Sequence, residues 1–232
     1  MTAATSRVAG FPAAKLVGQT VDSVEAQGKH LLMRLASGQV LHSHMKMTGS
    51  WHVYREGDRW RKPAAQARLV LTAGDRVAVC FNAPVVELLQ PRAEAAHPAL
   101  RALGPDLLAP PADWAEILRR ARSRPPATPL GDLLLDQRVT AGLGNIWRCE
   151  SLFVERLSPW TPVGDLTDDA LVQLYRTGAR LLAAQLGRTV DRRRWVYDRA
   201  GRPCRRCGTP VQARRERTDL ARTAYWCPSC QP

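Results

Sequence analysis

Two short pairs of cysteines, Cys204-Arg-Arg-Cys207 and Cys227-Pro-Ser-Cys230, stand near the end of the chain with nineteen residues between them. Each pair can present two soft thiolates from one tight turn, and the two pairs together can supply every ligand of a tetrahedral ion. The spacing points to one structural Zn2+ held by Cys204, Cys207, Cys227 and Cys230. Disulfides are the competing assignment. They are disfavoured because the opening residues, Met1-Thr-Ala-Ala-Thr-Ser-Arg7, lack the apolar core of a secretion signal. Cys80 and Cys149 stand alone among apolar neighbours and read as buried free thiols.

Arginine crowds the same region: Arg192, Arg193, Arg194, Arg199 and Arg202 before the metal pairs, and Arg214, Arg215, Arg217 and Arg222 between them. Guanidinium groups match phosphate oxygens in a planar, two-pronged geometry. The chain carries a net charge of +13 with a pI near 10.4. Residues 188–232 hold twelve arginines against four acids, so +8 of the excess sits there. A charge of this sign and clustering argues for a polyanionic partner. Lysine is confined to Lys15, Lys29, Lys46 and Lys62, a ratio that codon usage in a GC-rich genome would explain without explaining the clustering.

A second phosphate-seeking feature lies in the run Asp136-Gln-Arg-Val-Thr-Ala-Gly142-Leu-Gly144-Asn145-Ile146. Gly142 and Gly144 are free to adopt positive φ and let a foreign backbone approach. Asn145 is expected at the N-cap of the following helix, where unpaired N–H groups and the helix dipole favour an anion. A tight helix–helix turn would also call for glycine, so both readings stand on this run alone.

The elements that must position these groups differ along the chain. Val21–Ala26, His30–Leu35, Val40–His44, Ala67–Leu71 and Val77–Phe81 read as short strands separated by turn signals, an antiparallel sandwich. A Pro- and Ala-rich connector follows from His97, with one short helix predicted over residues 113–121. The second half reads as helices over 130–137 and 146–155 and a third capped by Thr167. Leu171, Leu174, Tyr175, Gly178, Leu181 and Leu182 fall on one face of that third helix. The fold class is α+β. No stretch reaches the apolar length of a membrane span, and a reducing cytoplasmic setting is expected.

The run Leu133 to Asn145, Glu150 after it, Tyr225-Trp-Cys-Pro-Ser-Cys-Gln231, Gln27-Gly-Lys-His-Leu-Leu32 and Leu41-His-Ser-His-Met-Lys-Met-Thr-Gly-Ser-Trp51 together resemble the formamidopyrimidine-DNA glycosylase and endonuclease VIII family. The detail is nearest the endonuclease VIII branch and its actinobacterial members. The resemblance spans the chain from about Leu16 onward. It implies a β-sandwich catalytic domain over 1–95, a connector over 96–123, a helix-two-turn-helix domain over 124–195 and a zinc finger over 196–232. It also implies excision of oxidised bases from DNA, with an amine attacking C1′ of the flipped nucleotide and successive eliminations cutting the strand. Lys29 matches the lysine that contacts phosphate near the lesion and assists elimination. Arg222 matches the finger arginine that grips the flanking phosphates and is linked to the later elimination. Asn145, with Gly142 and Gly144, matches the backbone-binding turn. Lys46, Met47 and Thr48 occupy the loop that fills the gap left by the extruded base. The expected partner is double-stranded DNA with a damaged base or abasic site, the expected state a monomer, and the expected location the bacterial cytoplasm at the nucleoid.

Each residue also has a plain alternative. Lys29 alone would pass for a solvated cation, Arg222 for one arginine among many, and Met47 for core. His42 and His44 alternate on a strand and read as packing or hydrogen-bonded histidines rather than ligands. The family opens with Pro-Glu after the initiator methionine, the proline amine being the nucleophile. This chain opens Met1-Thr2-Ala3-Ala4 and joins the resemblance inside the first domain, so an opening helix and strand are expected to be missing. A terminal amine, with a pKa of about 8, is the better nucleophile at neutral pH than lysine at about 10.4. Three explanations compete: a true start further upstream, a gene remnant, or a non-catalytic zinc-finger nucleic-acid-binding protein. The 232-residue chain is accordingly expected to bind DNA with impaired chemistry.

Overall fold

Alternating apolar and polar residues, broken at short glycine turns, make eight short strands in the first unit, residues Met1–Arg101. The structure is a computed structural model that describes residues 1–109, 111–186, 193–215 and 222–232. Arg192, Arg217 and the loop after Leu186 lie outside the described residues. In the first unit β1 (Ala3–Ser6), β6 (Ala67–Ala73), β7 (Arg76–Phe81) and β5 (Ser50–Arg55) form one antiparallel sheet in the order β1-β6-β7-β5. The other sheet runs β2-β3-β4-β8, with β2 at Val21–Gln27, β3 at His30–Leu35, β4 at Val40–His44 and β8 at Val85–Leu89. Leu16, Leu35, Leu41, Leu69, Leu71, Cys80 and Val86 fill the space between them. The expected strands are present; β1, β5 and β8 are additional. Two single-turn helices, α1 (Ala93–Ala96) and α2 (Pro98–Arg101), end the unit.

Register puts two lysines of this unit, Lys29 and Lys46, at one end of a sheet. Gln27 faces His30 across the two-residue Gly28-Lys29 turn, and His30 faces His44 on the next strand. Gly28 has φ +59°, the conformation such a turn needs and a side chain resists. Lys29 and Lys46 therefore leave the sheet at the same edge.

The second unit, Ala102–Pro232, is helical until its end. Helix α3 (Trp114–Arg122) starts where Asp113 accepts a hydrogen bond from the Glu116 N–H at 2.9 Å. Helices α4 (Leu130–Leu135), α5 (Asn145–Val154) and α6 (Asp168–Ala183) follow, and Thr167 caps α6 through the Ala170 N–H. Leu130, Leu133, Leu134, Leu143, Leu152, Leu171, Leu174 and Tyr175 are buried together as their core. The antiparallel hairpin of β9 (Gln212–Arg215) and β10 (Thr223–Trp226) ends the chain.

The connector is stitched to the glycine run. The Gly104 N–H donates to the Gln137 carbonyl at 2.8 Å, and the Ala141 N–H and Thr140 hydroxyl donate to the Pro105 carbonyl. A Cβ at Gly104 would lie 2.4 Å from the Val139 carbonyl oxygen, so two backbones meet where only hydrogen fits. Gly104→Ala is expected to destabilise the protein by about 1–3 kcal/mol, the usual scale of overpacking. Thermal unfolding checks this, and an unchanged midpoint would show that the connector can step away at no cost.

Candidate nucleic-acid interface

In the second unit the glycine run forms a braced turn ahead of α5. Gly142 has φ +109°, whereas Gly144 is extended at φ −123° and ψ −177°. Only the first glycine uses the conformational freedom expected of both. Gly144, rather than Asn145, is the N-cap residue, and Asn145 is the first residue of the helix. The shift matters chemically. Gly144 has no side chain to occupy the helix N–H groups, and the first N–H groups of a helix have no intrahelical acceptor. That end is thus left with the partial positive charge that favours an anion. The Gln137 side chain holds the turn from beneath: its amide nitrogen donates to the Leu135 and Leu143 carbonyls at 2.9 Å, and its oxygen accepts from the Gly142 N–H.

Asn145 is used inward. Its Nδ2 donates to the Thr223 carbonyl at 2.9 Å, fixing the start of β10 and the residue before it, Arg222, against the head of α5. The structure thus brings Gly142, Gly144, Asn145 and Arg222 to one locality.

The rest of α5 carries the cysteine segment. Cys149 and Phe153 pack with Val196, Cys204, Val211 and Cys227 in a single buried cluster. The Glu150 carboxylate, 3% exposed, accepts from the N–H groups of Trp195, Val196 and Tyr197 at 2.8–3.0 Å. Arg206 donates to the Phe153 carbonyl and lies over the Phe153 ring, and buried Gln231 bridges the Cys227 N–H to the Leu157 carbonyl. Sequence reading assigned no role to Gln137, Glu150 or Gln231. An acid on the buried face of an apolar helix was the available signal for Glu150.

The four thiols fit one ion. One sulfur from each of Cys204, Cys207, Cys227 and Cys230 lies within 4.8 Å of the others, and the Cys207 and Cys227 sulfurs are 3.4 Å apart. Ligands about 2.3 Å from a tetrahedral zinc stand about 3.8 Å from one another, within this spread. The first pair turns through Gly208 at φ +81°, with the Arg206 N–H directed at the Cys204 sulfur. Cys80 and Cys149 stay apart, as expected; burial pushes the Cys80 thiol up to about 12 and raises Cys149.

The arginines divide into two sets. Arg194 stacks over Trp147, Arg214 lies 3.8 Å from the centre of the Trp160 ring, and Arg199 donates to the Pro203 carbonyl. Arg202 and Arg215 are exposed. Part of the cluster therefore supports the fold.

In the first unit, residues 45–49 form a tight loop. The Gly49 N–H donates to the Met45 carbonyl, the Lys46 N–H to His44 Nδ1 and the Thr48 hydroxyl to the Asn82 carbonyl. Lys46 has φ +44°. A Cβ at Gly49 would meet Met45 and Ala83 backbone below 3.0 Å. Met47 is 72% exposed at the tip, so it does not fill the core. Lys29 is exposed on its turn. Burial first, then the charges of Lys29 and Lys46, hold the His44 imidazole below its ordinary value, and burial holds His30 at about 4. At neutral pH the cations at this edge are the two lysines.

Comparison with known proteins matches this chain to two family domains. Residues 3–84 match the formamidopyrimidine-DNA glycosylase N-terminal domain, and residues 103–192 match the formamidopyrimidine-DNA glycosylase H2TH domain. The protein described as probable endonuclease 8 2 of Streptomyces coelicolor is 41% identical over 240 residues, covering 100% of this chain and 86% of that protein. The DNA-(apurinic or apyrimidinic site) lyase Nei2 of Mycolicibacterium smegmatis is 37% identical over 239 residues, covering 100% and 90%. The crystal structure of MutM (Fpg) from Thermus thermophilus superposes with a TM-score of 0.82 at 30% identity, covering 99% of this chain and 90% of that one.

Replacing Glu150 by Gln puts an NH2 group among amides that need acceptors. With hydrogen bonds to charged groups contributing about 1.5–3 kcal/mol, Glu150→Gln is expected to lower stability by about that amount and to raise hydrogen exchange at the 195–197 amides. Unchanged exchange there would show that the carboxylate does not hold this strand.

Proposed function

The chain belongs to the formamidopyrimidine-DNA glycosylase and endonuclease VIII family, and from that premise we propose that it acts in base-excision repair on duplex DNA carrying an oxidised base or an abasic site. The observation that carries the reading is the hydrogen bond from Asn145 to the Thr223 carbonyl. It sets an open helix N-terminus beside Arg222, so two groups suited to phosphate share one small surface. Arg222 grips the phosphates flanking the flipped nucleotide and takes part in the later elimination. In the first unit Lys29 contacts phosphate near the lesion and assists elimination, while Lys46, Met47 and Thr48 enter the gap in the duplex. The exposure of Met47 supports that role, since an apolar wedge recovers stacking lost on extrusion. We assign the catalytic sandwich to 1–95, the connector to 96–123, the helix-two-turn-helix domain to 124–195 and the finger to 196–232. The protein works as a monomer in the cytoplasm, at the nucleoid.

Cys204, Cys207, Cys227 and Cys230 hold one Zn2+. The ion supplies a cross-link and no reaction chemistry, and the four thiolates satisfy it fully.

An equilibrium binding assay with abasic-site duplex tests this function: salt-dependent binding is expected, and a folded protein that ignores DNA at low ionic strength would overturn it. Arg222→Ala is expected to weaken binding about tenfold and to reduce the slope of log affinity against log salt by about one, whereas Arg101→Ala leaves both unchanged; equal effects would remove Arg222 from the contact. Cys207→Ser is expected to abolish bound zinc by elemental analysis and to lower both the melting temperature and DNA affinity. Full zinc content in that variant would refute the four-thiolate site.

A further inference from the structure

Four of the five histidines, His30, His42, His44 and His97, stand in ring contact within the first unit. His42 lies on β4 directly opposite Glu87 on β8, and His97 follows α1 so that its Nε2 sits 3.2 Å from a Glu87 oxygen. The His42 and His97 rings meet edge to face at 5.0 Å between centroids. One ligand atom from each of His42, Glu87 and His97 falls within 4.8 Å of the other two. The hydrogen bond His42 makes to His30 bears out the sequence reading of a bonded histidine, yet it accounts for only one of its nitrogens.

Two features of this group are unexplained by packing. His42 is 1% exposed, and its Nε2 is engaged with His30 Nδ1 at 2.8 Å. Its Nδ1 is buried with no partner among the described residues, and so is Nδ1 of His97. A buried polar atom left unpaired costs about 1–3 kcal/mol. Here two such atoms belong to imidazoles that converge on a carboxylate. Imidazole nitrogen is the commonest protein ligand for metal ions, and a ligand bond through His42 Nδ1 would remove one of these penalties. The separation of His97 Nε2 and the Glu87 oxygen is close to the roughly 3.4 Å that two ligands keep on one tetrahedral zinc when each bond is about 2.1 Å.

We propose that His42, Glu87 and His97 form a second metal site, for a divalent ion of zinc, cobalt or nickel type, separate from the four cysteines. Two imidazoles and one carboxylate suit these ions and not calcium or magnesium, which take mainly oxygen ligands. His42 ligates through Nδ1, because its Nε2 is committed to His30. Glu87 neutralises part of the ion's charge, and a fourth position stays open to water, as in open zinc sites built from two histidines and a glutamate. Binding also has a consequence at the basic edge of the sheet. With Nδ1 on the metal, the His42 proton sits on Nε2 and is donated to His30 Nδ1, which fixes the His30 proton on its own Nε2. The ion thereby sets the tautomer of the residue next to Lys29. The proposal stands independently of the DNA reading.

The test uses the full chain already carrying one equivalent of zinc at its cysteines, titrated with Co2+. Cobalt bound by nitrogen and oxygen gives weak visible bands, and cobalt bound by cysteine adds intense thiolate charge-transfer absorption. The expected result is one further equivalent per chain with the first signature and without the second. Glu87→Gln and His97→Gln, both at partly exposed side chains, are each expected to weaken that equivalent tenfold or more while melting like the parent protein in the presence of chelator. Either variant suffices if the other fails to fold. The proposal is overturned if no further equivalent binds, if the added cobalt shows only the thiolate signature, or if a folded variant binds it as tightly as the parent.

Discussion

Glu150 and its three backbone donors are the interaction on which the second unit depends. A carboxylate taken out of water loses its hydration, and only charge-assisted bonds of good geometry make that tolerable. Here they come from three successive N–H groups of residues 195–197, which have no sheet or helix partner among the described residues. The arrangement fixes the chain just before the first cysteine pair, half-way along α5. The hydrophobic cluster of Cys149, Phe153, Val196 and Cys227 then aligns the finger with the helix. Asn145 adds the last tie at the head of α5. One ten-residue helix thus presents an open N-terminus at one end and carries the arginine-bearing hairpin along its side.

What the sequence disclosed follows from how local each signal is. Cysteine spacing, the cap at Thr167 and the apolar face of α6 are set by residues within a turn or two of one another, and the structure contains all three. Long-range features were less legible. Ala3–Ser6 has no strand propensity worth the name and is extended because β6 offers it a partner. The N-cap fell one residue early because the Asn145 side chain found an acceptor 78 positions away at Thr223. The arginines looked alike in sequence, and only the positions of Trp147, Trp160 and Phe153 separate those that stack on a ring from Arg202 and Arg215, for which no ring contact is seen among the described residues.

The first unit illustrates the same limit at a site. The Gly28-Lys29 dipeptide and the residue types of the 45–49 loop were legible, since tight turns announce themselves in glycine. That His42, Glu87 and His97 converge was not, because they come from two neighbouring strands and the segment after α1. The neutral state of His30 and His44 likewise depends on burial that no local pattern records. It leaves charge at that edge to lysine, whose ammonium is a compact, strongly hydrated point charge.

The proposed contact of Arg222 with DNA depends on Asn145 holding the strand that follows it. A double-mutant cycle on affinity for an abasic-site duplex, combining Asn145→Ala with Arg222→Ala, tests this directly. A coupling energy of about 0.5 kcal/mol or more is expected, because an Arg222 freed from its anchor has already lost much of its grip. Strict additivity of the two losses would contradict it.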